Sequence, residues 1–134
     1  MNDKVNGGCL CGAVSFVIEL PSLWCAHCHC SMCQRAHGAA FVTWVGVPAA
    51  QFKLGDSDSV NWFESSAGAE RGFCRRCGCS MFFRSQRWPG EVHVTLANLR
   101  AAIDRAPQTH VFYETHVRWV HLADTLPKKF AAEA

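Results

Sequence analysis

Trp24–Arg35 reads WCAHCHCSMCQR. Cys25, Cys28, Cys30 and Cys33 fall within nine residues, with His27 and His29 between them. Thiols at this density need a partner, either a disulfide or a metal ion. A Cys-x-Cys pair makes a poor disulfide, because bridged Cα atoms must lie within about 4.4–6.8 Å with a strict dihedral. Zinc takes thiolate or imidazole ligands around one tetrahedral point, and a tight turn delivers two or three at once. The spacing therefore reads as a metal site.

Two further cysteine motifs flank this one. Gly7–Gly12 is GGCLCG, a second Cys-x-Cys, with Gly12 placed where a metal-binding turn needs positive φ. Residues 70–85, ERGFCRRCGCSMFFRS, hold Cys74-x-x-Cys77-Gly78, a knuckle in which a turn aims both sulfurs at one point. Cys9, Cys11, Cys74 and Cys77 make a complete four-thiolate set, and closed sets of that kind are structural. Joining residue 9 to residue 77 cross-links most of the chain. Cys28, Cys30 and Cys33 remain as three ligands with an open fourth position, the pattern of a reactive zinc. Three thiolates blunt the Lewis acidity of the dication, so such a metal suits holding a thiol deprotonated. With three protein ligands and an exchanging fourth, this second zinc is expected to bind more weakly and to be lost first.

The chain of 134 residues fits one domain, residues 1–134 with a core over about 7–130. A net charge of +2 is too small for bulk binding to nucleic acid or anionic membranes. The opening MNDKVNG has no apolar stretch of a secretory leader, and no apolar run reaches the roughly 18–20 residues of a membrane span. Nine cysteines without an export signal point to a reducing compartment, hence a cytoplasmic protein.

The remaining pattern predicts mainly β structure. Ala13–Leu20 alternates, with Val14, Phe16 and Ile18 on the inner face. Ser31 is expected to cap a short helix, with Gln34 completing a capping box and Gly38 ending it. Ala39–Val47 reads as a buried strand stopped by Pro48. Gln51–Leu54, Ser59–Glu64, the residues on either side of the knuckle, Glu91–Leu96, Thr109–Tyr113 and Val117–Leu122 read as further strands. Asn98–Ala106 reads as a loop or one helical turn, and Asp124–Pro127 begins an irregular tail with a frayed AAEA end.

GGCLCGAV, CHCSMCQRAHGA, RGFCRRCGCSMF and the late residues Thr109-His110-Val111, Trp119 and Asp124-Leu126-Pro127 resemble the glutathione-dependent formaldehyde-activating enzymes, the Gfa family, whose superfamily includes centromere protein V. The resemblance implies a β-tent of packed antiparallel sheets with short helices. It implies a structural zinc on Cys9, Cys11, Cys74 and Cys77 and a catalytic zinc on Cys28, Cys30 and Cys33. The implied activity is S-(hydroxymethyl)glutathione synthesis, a carbon–sulfur lyase reaction in the reverse sense, with glutathione or a similar small thiol as partner. The alternative is a non-enzymatic zinc-stabilised module that binds protein or nucleic acid. The two differ in the second metal: an enzyme needs three sulfurs at an accessible cleft, a module needs a basic face.

Cys25 and Cys79 fall outside the seven-cysteine pattern and read as small buried thiols, against an alternate ligand or a resolving thiol. His29 reads as a hydrogen-bond donor to sulfur rather than a ligand. Arg71, Arg75, Arg76, Arg84 and Arg87 lie between Glu70 and Glu91 with no acid among them, and read as a solvated basic face or as partners for glutathione carboxylates. Trp44, Trp62, Trp88 and Trp119 read as core or pocket walls.

Overall fold

The computed structural model describes residues 3–133. Met1, Asn2 and Ala134 lie outside the described residues, among them the last residue of the expected frayed end. The fold is mainly β. Strands β1 (Lys4–Gly8), β2 (Ser15–Glu19) and β5 (Phe52–Leu54) form a three-stranded antiparallel sheet in the order β1-β2-β5. A seven-stranded sheet has the order β10-β3-β4-β9-β8-β7-β6. Its strands are β3 (Trp24–Cys28), β4 (Val42–Pro48), β6 (Val60–Ser66), β7 (Ala69–Cys74), β8 (Ser80–Ser85), β9 (Glu91–Thr95) and β10 (His110–Val111). One helix, α1 (Ser31–His37), links β3 to β4.

Period-two alternation gives the large sheet two faces. Cys25, Val45, Val47, Val92, Val94 and Phe82 point to one side and pack with Val5, Phe16 and Ile18 of the small sheet. Phe16 sits edge-on against Phe82 at 4.9 Å between ring centroids. Each such fully buried side chain stabilises the fold by about 1.5–3 kcal/mol. A bulge at Gly72/Phe73 shifts the β7–β8 register, so that the consecutive Met81 and Phe82 both reach the core.

The opposite face carries Trp24, Ala26 and Cys28 from β3, Trp44 from β4, His93 from β9, Phe83 from β8 and Arg71 from β7. The register places Trp24 opposite Gly46, Gly46 opposite His93, Phe83 opposite His93 and Arg71 opposite Phe83. These side chains line a cavity of about 730 Å³.

Several sequence expectations shift. The central cysteine stretch is not a turn: Trp24–Cys28 is an internal strand, and Cys28 ends it. Gln51 falls in a short 3-10 turn before β5. The helical turn expected within Asn98–Ala106 comes earlier, at Leu96–Asn98. Val117–Leu122 is irregular, because its alternation finds no neighbouring strand, and Trp119 stands 71% exposed rather than walling a pocket. Thr109–Tyr113 contracts to the two-residue β10, which pairs parallel with β3 and so departs from an all-antiparallel sheet. The tail is docked: the Lys129 amide donates to the His110 carbonyl at 2.8 Å, and the Ala131 amide donates to the Glu114 carboxylate at 2.9 Å.

The Trp24 indole lies across Gly46, and a Cβ at that position would collide with the ring. Gly46→Ala is therefore expected to cost about 1–3 kcal/mol of stability by overpacking. Thermal unfolding together with tryptophan emission checks this; an unchanged melting temperature with unchanged emission contradicts it.

Candidate functional site

Cys28, Cys30 and Cys33 come from three local structures. Cys28 ends β3, Cys30 is the N-cap of α1, and Cys33 lies in the first helical turn. The cap is Cys30, not Ser31: its sulfur accepts from the Cys33 amide at 3.2 Å. Gln34 makes no capping box either. Its side-chain amide donates to the carbonyls of His29 at 2.8 Å and Thr115 at 2.9 Å. Gly38 ends the helix in the left-handed conformation, as expected. The three sulfurs lie within 4.8 Å of one another, with Cys28 and Cys33 at 3.6 Å, and all three residues line the cavity.

A buried cation faces this group. Arg71 is 6% exposed, and both its Nη atoms donate to Cys33 Sγ at 3.6 Å. The thiol of Cys30 is held down to about 2, chiefly because the Cys28 and Cys33 thiols donate to its sulfur. The Cys33 amide and the Arg71 charge add to this, against burial. Cys28 is pushed up by the same sharing. The shared sulfurs and the facing Arg71 guanidinium together favour a thiolate within this cluster.

His29, between two of these cysteines, acts as a staple. Its Nε2 is hydrogen-bonded to His110 Nδ1 at 2.8 Å, and His110 Nε2 to Asp124 at 3.0 Å. Its amide donates to the Val111 carbonyl at 3.0 Å, and its own carbonyl accepts from Thr115 Oγ1 at 2.9 Å. Its Nδ1 is buried without a partner, so the expected bond to sulfur is not made. The sequence reading missed this chain of groups; the only signal was that His29 and His110 each sit inside a quoted motif.

The second cluster joins the two sheets. Cys9 follows β1, Cys74 ends β7, and the sulfurs of Cys9, Cys11, Cys74 and Cys77 lie within 4.8 Å of one another. Cys11 Sγ is 3.7 Å from Cys9 Sγ and 3.7 Å from Cys74 Sγ. A zinc–sulfur bond of ~2.3 Å in a tetrahedron spaces sulfurs about 3.8 Å apart, so this donor set fits such an ion. Backbone amides converge on the sulfurs: Val14 donates to Cys9 at 3.2 Å, and Arg76 and Cys77 each donate to Cys74 at 3.4 Å. Gly12 and Gly78 hold the positive φ that both turns require. Each cluster could hold a metal ion.

Residues 4–115 match the family model of the glutathione-dependent formaldehyde-activating enzymes. The chain belongs to that family. A putative glutathione-dependent formaldehyde-activating enzyme of Halomonas elongata is 25% identical over 126 residues, covering 88% of this chain and 80% of that protein. An uncharacterised lyase of Schizosaccharomyces pombe is 33% identical over 88 residues, 60% of this chain and 57% of that protein's length. A crystal structure of a Rhodobacter sphaeroides protein superposes with a TM-score of 0.62 at 26% identity, covering 75% of this chain and 92% of that one.

In this Gfa-family chain the five arginines of the 71–87 segment scatter. Arg71 and Arg87 line the cavity. Arg84 is paired with Glu70 at 3.0 Å and lies over Trp62, while Arg75 donates to the Asp58 carbonyl. Cys25 is fully buried in the core, where burial pushes its thiol up to about 11. Cys79 is half-buried and accepts from Asn98 Nδ2 at 3.3 Å. Neither belongs to the two clusters. No helix among the described residues is long and apolar enough to cross a membrane. The sequence reading passed over Trp24, Glu91, His93 and Phe112 as cavity residues; the alternation of β3 and β9 held the signal for the first three.

Burial, helped by Arg71, lowers His37 from 6.5 to about 4. A histidine depressed in the folded state contributes stability that is complete above pH 6.5 and is lost as pH falls towards 4. His37→Gln removes that titrating imidazole. Urea titrations from pH 7 to pH 4 are expected to show a shallower loss of stability in the variant than in the parent, and parallel curves contradict the assignment.

Proposed function

We propose that the protein joins a small thiol, glutathione or a similar one, to formaldehyde or another small electrophile, working as a carbon–sulfur lyase in the reverse sense. One observation carries this: three cysteine sulfurs within 4.8 Å of one another stand on the wall of an accessible cavity. The family match and the names of the relatives support it.

Cys9, Cys11, Cys74 and Cys77 would hold a structural zinc, and Cys28, Cys30 and Cys33 a second, reactive one. Bound there, zinc would keep a substrate thiol deprotonated near neutral pH. The chain's own groups do the rest. Arg71, itself buried, offsets the negative charge that the three thiolates would gather. The His29–His110–Asp124 chain and Gln34 fix the backbone between Cys28 and Cys30. Among the five arginines, Arg87 lines the cavity at its exposed edge and would meet a substrate carboxylate there. Addition forms a carbon–sulfur bond, the carbonyl π pair moves to oxygen, and that oxygen takes the proton the thiol gave up. A non-enzymatic binding module would want a continuous basic face, and the burial of Arg71 and the pairing of Arg84 with Glu70 argue against one.

Two cysteine variants test the assignment together. Cys74→Ser is expected to lose about one zinc and to unfold or aggregate, since structural zinc contributes roughly 10–16 kcal/mol of apparent binding free energy in small zinc domains. Cys30→Ser is expected to remain folded, with a melting temperature near the parent's, and to lose thiol–aldehyde turnover. Metal analysis, circular dichroism and turnover decide it: a Cys30→Ser chain that unfolds as Cys74→Ser does would remove the reactive role. Separately, Arg87→Ala is expected to raise KM for glutathione by the loss of one charge-assisted contact, about 1.5–3 kcal/mol, with an unchanged KM counting against carboxylate capture at that residue.

A further inference from the structure

We infer that the cavity holds a planar aromatic group, and that the electrophile presented to the thiol is an aromatic aldehyde rather than a one-carbon one; the second half rests on the thiol–carbonyl reading above. The cavity measures about 730 Å³, within the range of sites that enclose whole organic ligands. A one-carbon aldehyde beside the thiol would leave the apolar wall away from the three sulfurs to water.

Those walls are aromatic. Trp24, Trp44, Phe83, Trp88 and Phe112 line the cavity, with His93 packed among them. The Trp24 ring meets His93 edge-on at 4.5 Å, His93 lies 5.6 Å from Phe83 and 5.4 Å from Trp88, and Trp44 lies 6.1 Å from Phe83. The wall is therefore a continuous sheet of ring surface running from β3 to the loop after β8.

Three polar groups of this wall are spent on one another. Glu91 Oε1 is 3.0 Å from Trp24 Nε1, which donates to it, and 3.0 Å from His93 Nε2. A ligand beside Trp24 and His93 meets π faces and edges. Such surfaces favour flat rings, which gain from offset or edge-on geometry beyond the area they bury.

The rim repeats the theme. Phe112 holds φ 53 and ψ 41, a left-handed backbone that a bulky residue adopts only when its surroundings impose it. Arg87 lies over the Trp88 ring at 4.9 Å and over the Phe112 ring at 5.3 Å, and its Nη2 donates to the Ala131 carbonyl at 2.8 Å. One guanidinium thus holds two rings at the mouth. The charged ends of a peptide thiol suit this exposed rim, with Arg87 and Lys129. That leaves the aromatic interior to the other substrate. The reaction balances without a redox partner: the thiol R–SH and the aldehyde Ar–CHO give the hemithioacetal R–S–CH(OH)–Ar. Sulfur bonds to the carbonyl carbon, the C=O π bond breaks, and the thiol proton ends on the new hydroxyl.

The test separates binding from turnover. The zinc-loaded protein is titrated calorimetrically with benzyl alcohol, cyclohexylmethanol and ethanol, none of which can accept a thiol at carbon. Benzyl alcohol is expected to bind about tenfold to a hundredfold more tightly than ethanol, the value of burying one ring, and more tightly than cyclohexylmethanol. Trp88→Ala and Phe112→Ala are expected to lose that preference, and the distant Trp119→Ala to keep it. Equal affinity of the parent protein for benzyl alcohol and either competitor overturns the aromatic site, whatever the variants do. Turnover with glutathione is then compared for benzaldehyde, acetaldehyde and formaldehyde, and benzaldehyde is expected to show the highest kcat/KM. If all three react equally well, the aromatic electrophile is overturned and the thiol–carbonyl reading stands. If none reacts, the thiol–carbonyl reading and the electrophile fall together, and the titration ranking alone decides the aromatic site.

Discussion

Sulfurs gathered at van der Waals distance must share protons or a cation, and much of this fold is arranged around meeting that demand twice. At the junction of the sheets, Cys9 and Cys11 leave β1 while Cys74 and Cys77 leave β7, so four sulfurs close the gap between layers that otherwise meet through Val5, Phe16, Phe82 and Val94. Backbone amides turn inward to help carry the charge. The second set stands in a different environment. Its three sulfurs share a cavity wall with a buried guanidinium, and the fourth side opens to that cavity rather than to another cysteine.

The large sheet separates these two jobs by parity. Along β3, Cys25 faces the core while Trp24, Ala26 and Cys28 face the cavity. Along β9, Val92 and Val94 pack inward while Glu91 and His93 turn outward to the cavity. A one-residue slip of β9 would send Val92 and Val94 to the cavity and the Glu91 carboxylate to the core, and a slip of β3 would turn Trp24 and Cys28 into the core. Gly46 matters in the same way, since the missing Cβ is what lets the Trp24 indole lie flat on the sheet.

Much of this was legible in the sequence because the signals were local. Fixed cysteine spacing marked both clusters, the alternation of Val14, Phe16 and Ile18 marked a strand, and glycines marked the turns. The misses share a physical cause. Cys30 displaces Ser31 as the cap because its sulfur is already held over the helix start, a choice that propensity does not encode. Val117–Leu122 alternates like a strand, but alternation cannot supply a neighbour to pair with. The tail looked frayed because its anchors, the His110 backbone and the Glu114 carboxylate, lie far from it in sequence. Arg71 resembled its four arginine neighbours until the register placed it opposite Phe83, on the inner wall.

The parallel pairing of β10 with β3 has a consequence in time. Cys28, Cys30 and Cys33 sit within a few residues, and a strand end and a helix start can bring their sulfurs close by local folding. The groups that clamp this segment, His110, Thr115 and Asp124, lie about eighty to a hundred residues later. Contacts that close long loops form late, because the chain must first give up the entropy of closure. During folding Cys28, Cys30 and Cys33 therefore stand for a period as a solvent-open cluster. Only afterwards does the clamp hold the backbone between Cys28 and Cys30 in its final place.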